Sequence, residues 1–237
     1  MPLSITRGPA GRRDPTNAAR CSYFLRSCRC SNTFARCHRI TTFATNTCAV
    51  VSTITIRAII GRLQSTTATG DYHGDGLIDQ IHSYGARSFS IWKSDGTLVY
   101  DSGADFENFL AQALPEDFNS NNDENDSFDA RSDDKGPEPE GITWGKVRGK
   151  RLVFVGLERI GGIMVYDITN PLAPEFATYV NNRDFSAEDV ESGGVGALGP
   201  EGLKFIPWYE SPNYKPLLVV GAEVSGTTTI YQVTVTR

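Results

Sequence analysis

Two short stretches set glutamate between proline and glycine: GPEPEG at 136–141 and GPEG at 199–202, each heading an apolar run, ITW in the first case and LKF in the second. A carboxylate can accept hydrogen bonds, ligate a hard cation or, with its pKa raised, deliver a proton. Glu140 and Glu201 open these runs, and Glu158 and Glu223 close two others, RLVFVGL and LLVVGA. NSNNDENDSFDARSDDKG (119–136) adds Asp123, Asp126, Asp129, Asp133 and Asp134 around Arg131, while Arg159 follows Glu158 and Arg183 lies in NNRDFSAEDVESGG (181–194). Oxygen ligands in this number suit calcium, and the three arginines suit an anionic ligand. The plainer alternative makes the repeated glutamates acceptors for nearby backbone amides and the acidic loop a solvated surface.

A second cation candidate is DYHGDGLID (71–79). Asp71, Asp75 and Asp79 with the Leu77 carbonyl follow a calcium-loop spacing, and Gly76 permits the sharp turn. His73 stands at a ligand position where an imidazole serves calcium poorly, and His82 replaces the glutamate that closes an EF-hand loop. The alternative is a plain Asp/Gly-rich turn. Other chemistry is thin: the three histidines accompany no G-x-S-x-G, H-E-x-x-H or phosphate-cradling glycine loop.

The chain's formal charge of -5 conceals a division. Residues 1–62 hold ten arginines, no lysine and the single acid Asp14, so they carry about +9 and the remainder about -14. All five cysteines (Cys21, Cys28, Cys30, Cys37 and Cys48) lie in that basic segment. Cys28, Cys30, Cys37 and His38 suggest zinc, yet lack the tight paired spacing of structural sites. Residues 1–61 therefore read as an Arg/Cys-rich leader outside the fold, transit-like in composition, or as the start of a truncated chain. The acidity of residues 63–237 argues against nucleic acid, and no run reaches the roughly 20 apolar residues of a membrane span.

What positions the glutamates is a repeat. KRLVFVGLERIGGIMVYDIT (150–169) lies over KPLLVVGAEVSGTTTIYQVT (215–234) without a gap, pairing Glu158 with Glu223 and Tyr166 with Tyr231. Short runs of Val, Ile, Thr, Tyr and Phe punctuated by Gly and Pro are strand grammar. The first copy reads as strands at 141–147, 151–157, 163–169 and 175–180, with NPLAP as the last turn. A weaker third copy places 77–93 over 151–167, Trp92 under Tyr166, with strands at 62–69 and 77–82 and a turn KSDG before TLVYDS. DFENFLAQAL (105–114) is the one helical pattern. The fold expected is all-β: a partial YVTN/WD40-like β-propeller of about three four-stranded antiparallel blades over 62–237, the last lacking its fourth strand. In a four-stranded meander the start of the first strand and the end of the second share one rim, which gathers the glutamates there.

FNSNNDENDSFDARSDDKGPEPEG, FVGLERIGGIMVYDIT, YVNNRDF, LGPEGLKFIP and LLVVGAEVSGTTTIY resemble the C-terminal part of the choice-of-anchor I domain family, from about Arg62 to Thr234. The resemblance implies a propeller displayed outside the cell, in a family of bacterial surface or secreted proteins and marine invertebrate surface glycoproteins. It supplies no catalytic residues. Residues 1–61 do not share it, His73 stands where the family favours Asp, and no anchor segment is expected from the residues up to Arg237. The expectation is an extracellular or cell-surface binding or adhesion module, calcium-dependent, for a surface ligand, glycan or protein, able to self-associate through open blade edges. The alternatives are a metal-dependent phosphoester hydrolase, with its metal among Glu140, Glu201 and the 123–134 acids, and an inactive truncated relic.

Overall fold

The computed structural model describes residues 3–5, 62–85, 87–187, 190 and 194–236. The cysteines and the zinc motif lie outside the described residues. The chain divides into two compact units, Met1–Arg7 with Arg62–Gln64 and Ser83–Arg237, and Gly8–Gly61 with Ser65–His82.

The larger unit is built from sheets whose strands pair antiparallel, save for one short parallel pair. Strands β4 (Pro139–Val147), β5 (Lys150–Leu157), β6 (Ile163–Asp167) and β7 (Glu175–Val180) form a meander in chain order. These are the four strands read from the first copy, and their turns follow local chemistry. Arg148 (φ 49°) and Gly149 (φ 89°) form the two-residue β4–β5 turn whose twist matches the strands it joins. Asn170 closes the β6–β7 turn by accepting from the amides of Ala173 (3.1 Å, at its carbonyl) and Leu172 (3.2 Å, at its side chain).

The second copy gives β8 (Pro200–Ile206), β9 (Leu217–Ala222) and β10 (Thr227–Val235). The fourth place in that sheet, expected to be vacant, is taken by β1 (Leu3–Ile5), which pairs parallel with β10. Both copies break register at the head of their first strand, between Pro139 and Ile142 and between Pro200 and Gly202. That shared irregularity places Glu140 opposite Glu201 in the repeat and, two residues earlier, Glu138 opposite Gly199.

The third copy is only half formed. β2 (Ser90–Trp92) and β3 (Leu98–Asp101) make a hairpin across the expected KSDG turn, where the Gly96 amide donates to the Lys93 carbonyl at 3.0 Å. The strands expected at 62–69 and 77–82 are not extended strands. Gly70, Gly74 and Gly76 all take positive φ, and Asp71 and Asp79 turn back on local amides, so this stretch folds on itself and the expected pairing shrinks to a bridge in which the Thr66 amide donates to the His82 carbonyl at 3.0 Å. Trp92, aligned with the buried Tyr166, is 59% exposed. The expected helix is present as α1 (Asp105–Ala113), burying Phe106 and Leu110.

The first sheet is a middle layer. One face packs Val147, Leu152, Phe154, Ile163 and Val165 on Phe205, Leu218, Val220, Tyr231 and Val233 of the second sheet. The other packs Val153, Val155, Met164 and Tyr166 on Phe89, Phe106 and Leu110. A strand buried on both faces must be apolar throughout rather than alternating, which explains LVFVGL. Contact with β8 also requires glycine. A Cβ at Gly145 would overlap the Phe205 ring, and one at Gly141 would meet the Glu201 carbonyl. The described strands form two four-stranded sheets and one two-stranded ribbon, so all-β holds.

Candidate functional site

At the head of β4 the chain reads Pro137-Glu138-Pro139-Glu140. The two prolines restrict the backbone around Glu138, which sits at φ 49° in the left-handed region that non-glycine residues rarely enter. Its repeat counterpart is Gly199, at φ 70°. The equivalence is exact in hydrogen bonding: the Glu158 amide donates to the Glu138 carbonyl at 2.8 Å, and the Glu223 amide donates to the Gly199 carbonyl at 2.8 Å. The first copy has therefore put a side chain where the second keeps glycine.

That side chain is 1% exposed and surrounded by cations. Arg131 Nη2 donates to Oε1 at 2.6 Å, Arg159 Nε donates to Oε2 at 2.9 Å, and Lys135 Nζ lies 3.1 Å from Oε2. Glu158, at the end of β5, is 5% exposed; it receives Asn122 Nδ2 at 2.8 Å and lies 3.2 Å from Arg159 Nη2. Among the described residues, Glu138, Glu140 and Glu158 are the group of three carboxylates with oxygens all within 4.8 Å of one another.

Two buried carboxylates in contact cannot both ionise cheaply. Burial pushes Glu158 up, and its hydrogen bond to Glu138 and the charges of Glu138 and Glu140 carry it to about 8, against the pull of Arg159. Burial acts on Glu138 in the same direction but is outweighed by hydrogen bonds from the Glu158 carboxyl, Arg131, Lys135 and Arg159, which hold it at about 2. Glu158 thus keeps the proton and Glu138 the charge. The second copy repeats the pairing at the surface: the Glu223 carboxyl raises Glu201 through a hydrogen bond and its charge, with a smaller push from Glu140. Of the four glutamates expected on one rim, Glu140 and Glu158 stand together with a fifth, Glu138, which carried no signal beyond its place between prolines.

The three arginines are engaged within the protein. Arg183, 7% exposed, donates to the carbonyls of Asn121 (2.7 Å), Arg159 (3.0 Å) and Glu124 (2.9 Å) and to the Asn125 side chain, with its guanidinium over the Phe185 ring at 4.6 Å. Arg159 also donates to Asn122 Oδ1 at 2.9 Å, and Arg131 to Asp134 Oδ2 at 2.6 Å. The acidic loop is accordingly a folded part of the protein, with Asn119, Ser120, Asn122 and Ser127 buried. Asn119 Nδ2 and Arg87 Nη1 both donate to Glu107 of α1, at 2.8 and 2.7 Å, which fixes the loop to the helix.

Its aspartates point to different places. Asp129 and Asp133 pair with Arg62 at 3.2 and 3.4 Å, Asp134 with Arg131, and Asp123 and Asp126 line an open cleft of about 580 Å³ with Glu116, Asp117 and Glu124. In the smaller unit, Asp71 accepts from the amides of Gly74, Asp75 and Gly76, the Leu77 amide donates to Asp75, and Asp79 accepts from the Tyr72 amide and meets His73 Nδ1 at 2.7 Å. Backbone amides, of Gly76 foremost, lower the pKa of Asp71, and His73 foremost lowers that of Asp79.

The sequence model of the choice-of-anchor I domain matches residues 27–171, more than half of the chain. The chain belongs to the choice-of-anchor I domain family. The matched span opens inside the Arg/Cys-rich stretch, earlier than the resemblance at Arg62 implied, and closes before β7. It contains Glu138, Glu140 and Glu158 but neither Glu201 nor Glu223. Over 196 residues the chain is 33% identical to gigasin-3a of Magallana gigas, covering 74% of this chain and 65% of that protein. Over 110 residues it is 28% identical to mesenchyme-specific cell surface glycoprotein of Strongylocentrotus purpuratus, covering 39% of this chain and 14% of that protein. The chain thus spans less than two thirds of each relative. No solved structure matches this family member. Among its described residues no helix is long and apolar enough to cross a membrane.

Proposed function

We propose that this choice-of-anchor I protein is a surface-displayed binding module, part of a β-propeller, whose glutamate rim takes calcium as part of its ligand face. The observation that carries the reading is the cluster of Glu140 and Glu158 oxygens with Glu138, all within 4.8 Å of one another, at the head of β4, where Gly141 packs against the Glu201 backbone of the second copy. The relative named as a cell surface glycoprotein supports the location outside the cell. Face-to-face stacking of two repeated four-stranded sheets supports the propeller.

Glu138 suits the cation poorly, because both its oxygens are taken by Arg131, Lys135 and Arg159. Glu140, 38% exposed at its side chain, and the carboxylates of Glu201 and Glu223 offer the oxygen donors that calcium requires. Glu158 joins them only after losing its proton, so calcium binding there releases protons and tightens as pH rises towards 8. Titration calorimetry with calcium chloride at pH 6 and pH 8 tests this. Binding stronger at pH 8 and abolished in both Glu140→Ala and Glu201→Ala is expected, while equal heats in wild type and both variants would remove calcium from the rim. A chromogenic phosphate ester assayed in parallel separates the binding module from the hydrolase: turnover lost in both variants would favour the enzyme.

A further inference from the structure

We infer that a second surface of this chain, at the opposite end of β4 from the glutamate rim, binds an acidic polysaccharide. The surface is an open cleft of about 1090 Å³ formed by the end of β4, the β4–β5 turn, the β8–β9 connection and β10. The inference rests on the extracellular binding reading but uses none of the rim residues: along β4, at about 3.3 Å per residue, Trp144 stands about 13 Å and Val147 about 23 Å from Glu140.

The first observation is charge. Residues 63–237 carry about -14, yet four of their thirteen lysines and arginines, Lys146, Arg148, Lys204 and Lys215, line this one cleft. Elsewhere the cations are largely spent internally: Arg87, Arg131, Lys135, Lys150 and Arg159 each meet a carboxylate. Among the described residues none of the four cleft cations has an ion pair, and the single acid on the lining is Glu210. An acidic protein has concentrated uncompensated positive charge at one place.

The second observation is aromatic. Trp144, Trp208, Tyr209 and Tyr214 line the same cleft and are 62%, 56%, 65% and 75% exposed. Trp208 and Tyr209 stand edge to face at 5.8 Å, presenting two ring surfaces at right angles. Large aromatic side chains left open to water at a concave surface lose that cost when a flat partner covers them, and their polar tips remain available for hydrogen bonding.

One chemistry satisfies both. The apolar C–H face of a pyranose ring stacks on Trp or Tyr, and a sulfate or carboxylate on the same sugar meets a lysine. Single-stranded nucleic acid offers stacking and charge as well, but its phosphate track is denser and continuous, and would be carried onto the acidic surface beyond the four cations. A sugar chain bearing one acid group per unit or two fits a short basic stretch.

The test uses the full chain on immobilised chondroitin sulfate, with neutral dextran and oligo(dT) as comparison ligands and the K204S/K215S and W208A variants alongside wild type. Salt-eluted retention of wild type on chondroitin sulfate alone is expected. K204S/K215S is expected to make the log–log salt dependence shallower by up to about two, and W208A to weaken binding at every salt concentration. Absence of wild-type retention, equal retention on dextran, tighter binding to oligo(dT), or unchanged behaviour of both variants would overturn the proposal. Calcium calorimetry on the same variants keeps the two sites distinguishable: intact rim binding with no polysaccharide retention defeats this inference and leaves the rim standing.

Discussion

Glu138 occupies a backbone conformation that its repeat counterpart meets with glycine, at a conformational cost of about 1 kcal/mol, and the return is a carboxylate that joins Arg131, Lys135 and Arg159 to β4. Removing it leaves three cations without their shared anion. Glu138→Ala is therefore expected to destabilise the protein by about 3–5 kcal/mol in urea unfolding, although the new residue eases burial of the site. A loss below about 1 kcal/mol would mean that the cations find other partners. Glu158 governs the pH profile. Its folded pKa lies above the ordinary 4.5, at about 8, so the folded state holds a proton that the unfolded state has released between those values. That contribution is full below about pH 4.5 and is lost as pH rises through about 8. Glu138 has the opposite sign: its contribution is full above 4.5 and disappears as pH falls to about 2. Stability from this pair should therefore peak near pH 4.5. Glu158→Gln should flatten the decline between pH 5 and 8, measured as Tm across pH, and a parallel decline in both proteins would assign it to other groups.

At the scale of elements, β4 and β8 lie so close that glycine is required between them. Gly145→Ala drives a methyl group into the Phe205 ring and is expected to cost about 1–3 kcal/mol. Gly149→Ala, in open space but at φ 89°, should cost about 1 kcal/mol, so the order of the two Tm values discriminates packing from backbone strain. The strands themselves were legible because β-branched and aromatic runs ended at Gly, Pro and Asn, and the repeat doubled β4, β5 and β6 as β8, β9 and β10. The meeting of Glu140 with Glu158 was legible for a related reason: meander topology fixes which strand ends meet. The third copy was not, because its alignment counted apolar letters in 77–82 where Asp71, Asp75 and Asp79 instead cap a tight loop through local amides. Glu138 was hidden because a one-residue irregularity at the strand head decides which of two nearby glutamates turns inward. The roles of Arg131, Arg159 and Arg183 depended on long-range contacts, with carbonyls 24 to 62 positions from Arg183, that no local pattern encodes.

For the whole molecule the consequential fact is that the family match ends at residue 171 while the face it builds is completed by β8–β10. Val147, Leu152, Phe154, Ile163 and Val165 are each at most 4% exposed, and their cover is Phe205, Leu218, Val220, Tyr231 and Val233. Burying a side chain of this size is worth about 1.5–3 kcal/mol, so exposing five of them removes an amount comparable to the roughly 5–15 kcal/mol that holds a domain folded. The opposite face, with Phe89, Phe106 and Leu110 on Tyr166 and Met164, cannot offset that loss, because its contacts are already counted in the intact chain. A chain ended at residue 187 should therefore bind ANS and unfold in urea without a cooperative transition, whereas the full chain shows one. A sharp transition in the shortened chain would instead mean that the helix-covered face alone suffices, and the second sheet would then be an addition to an independent unit rather than the other half of its core.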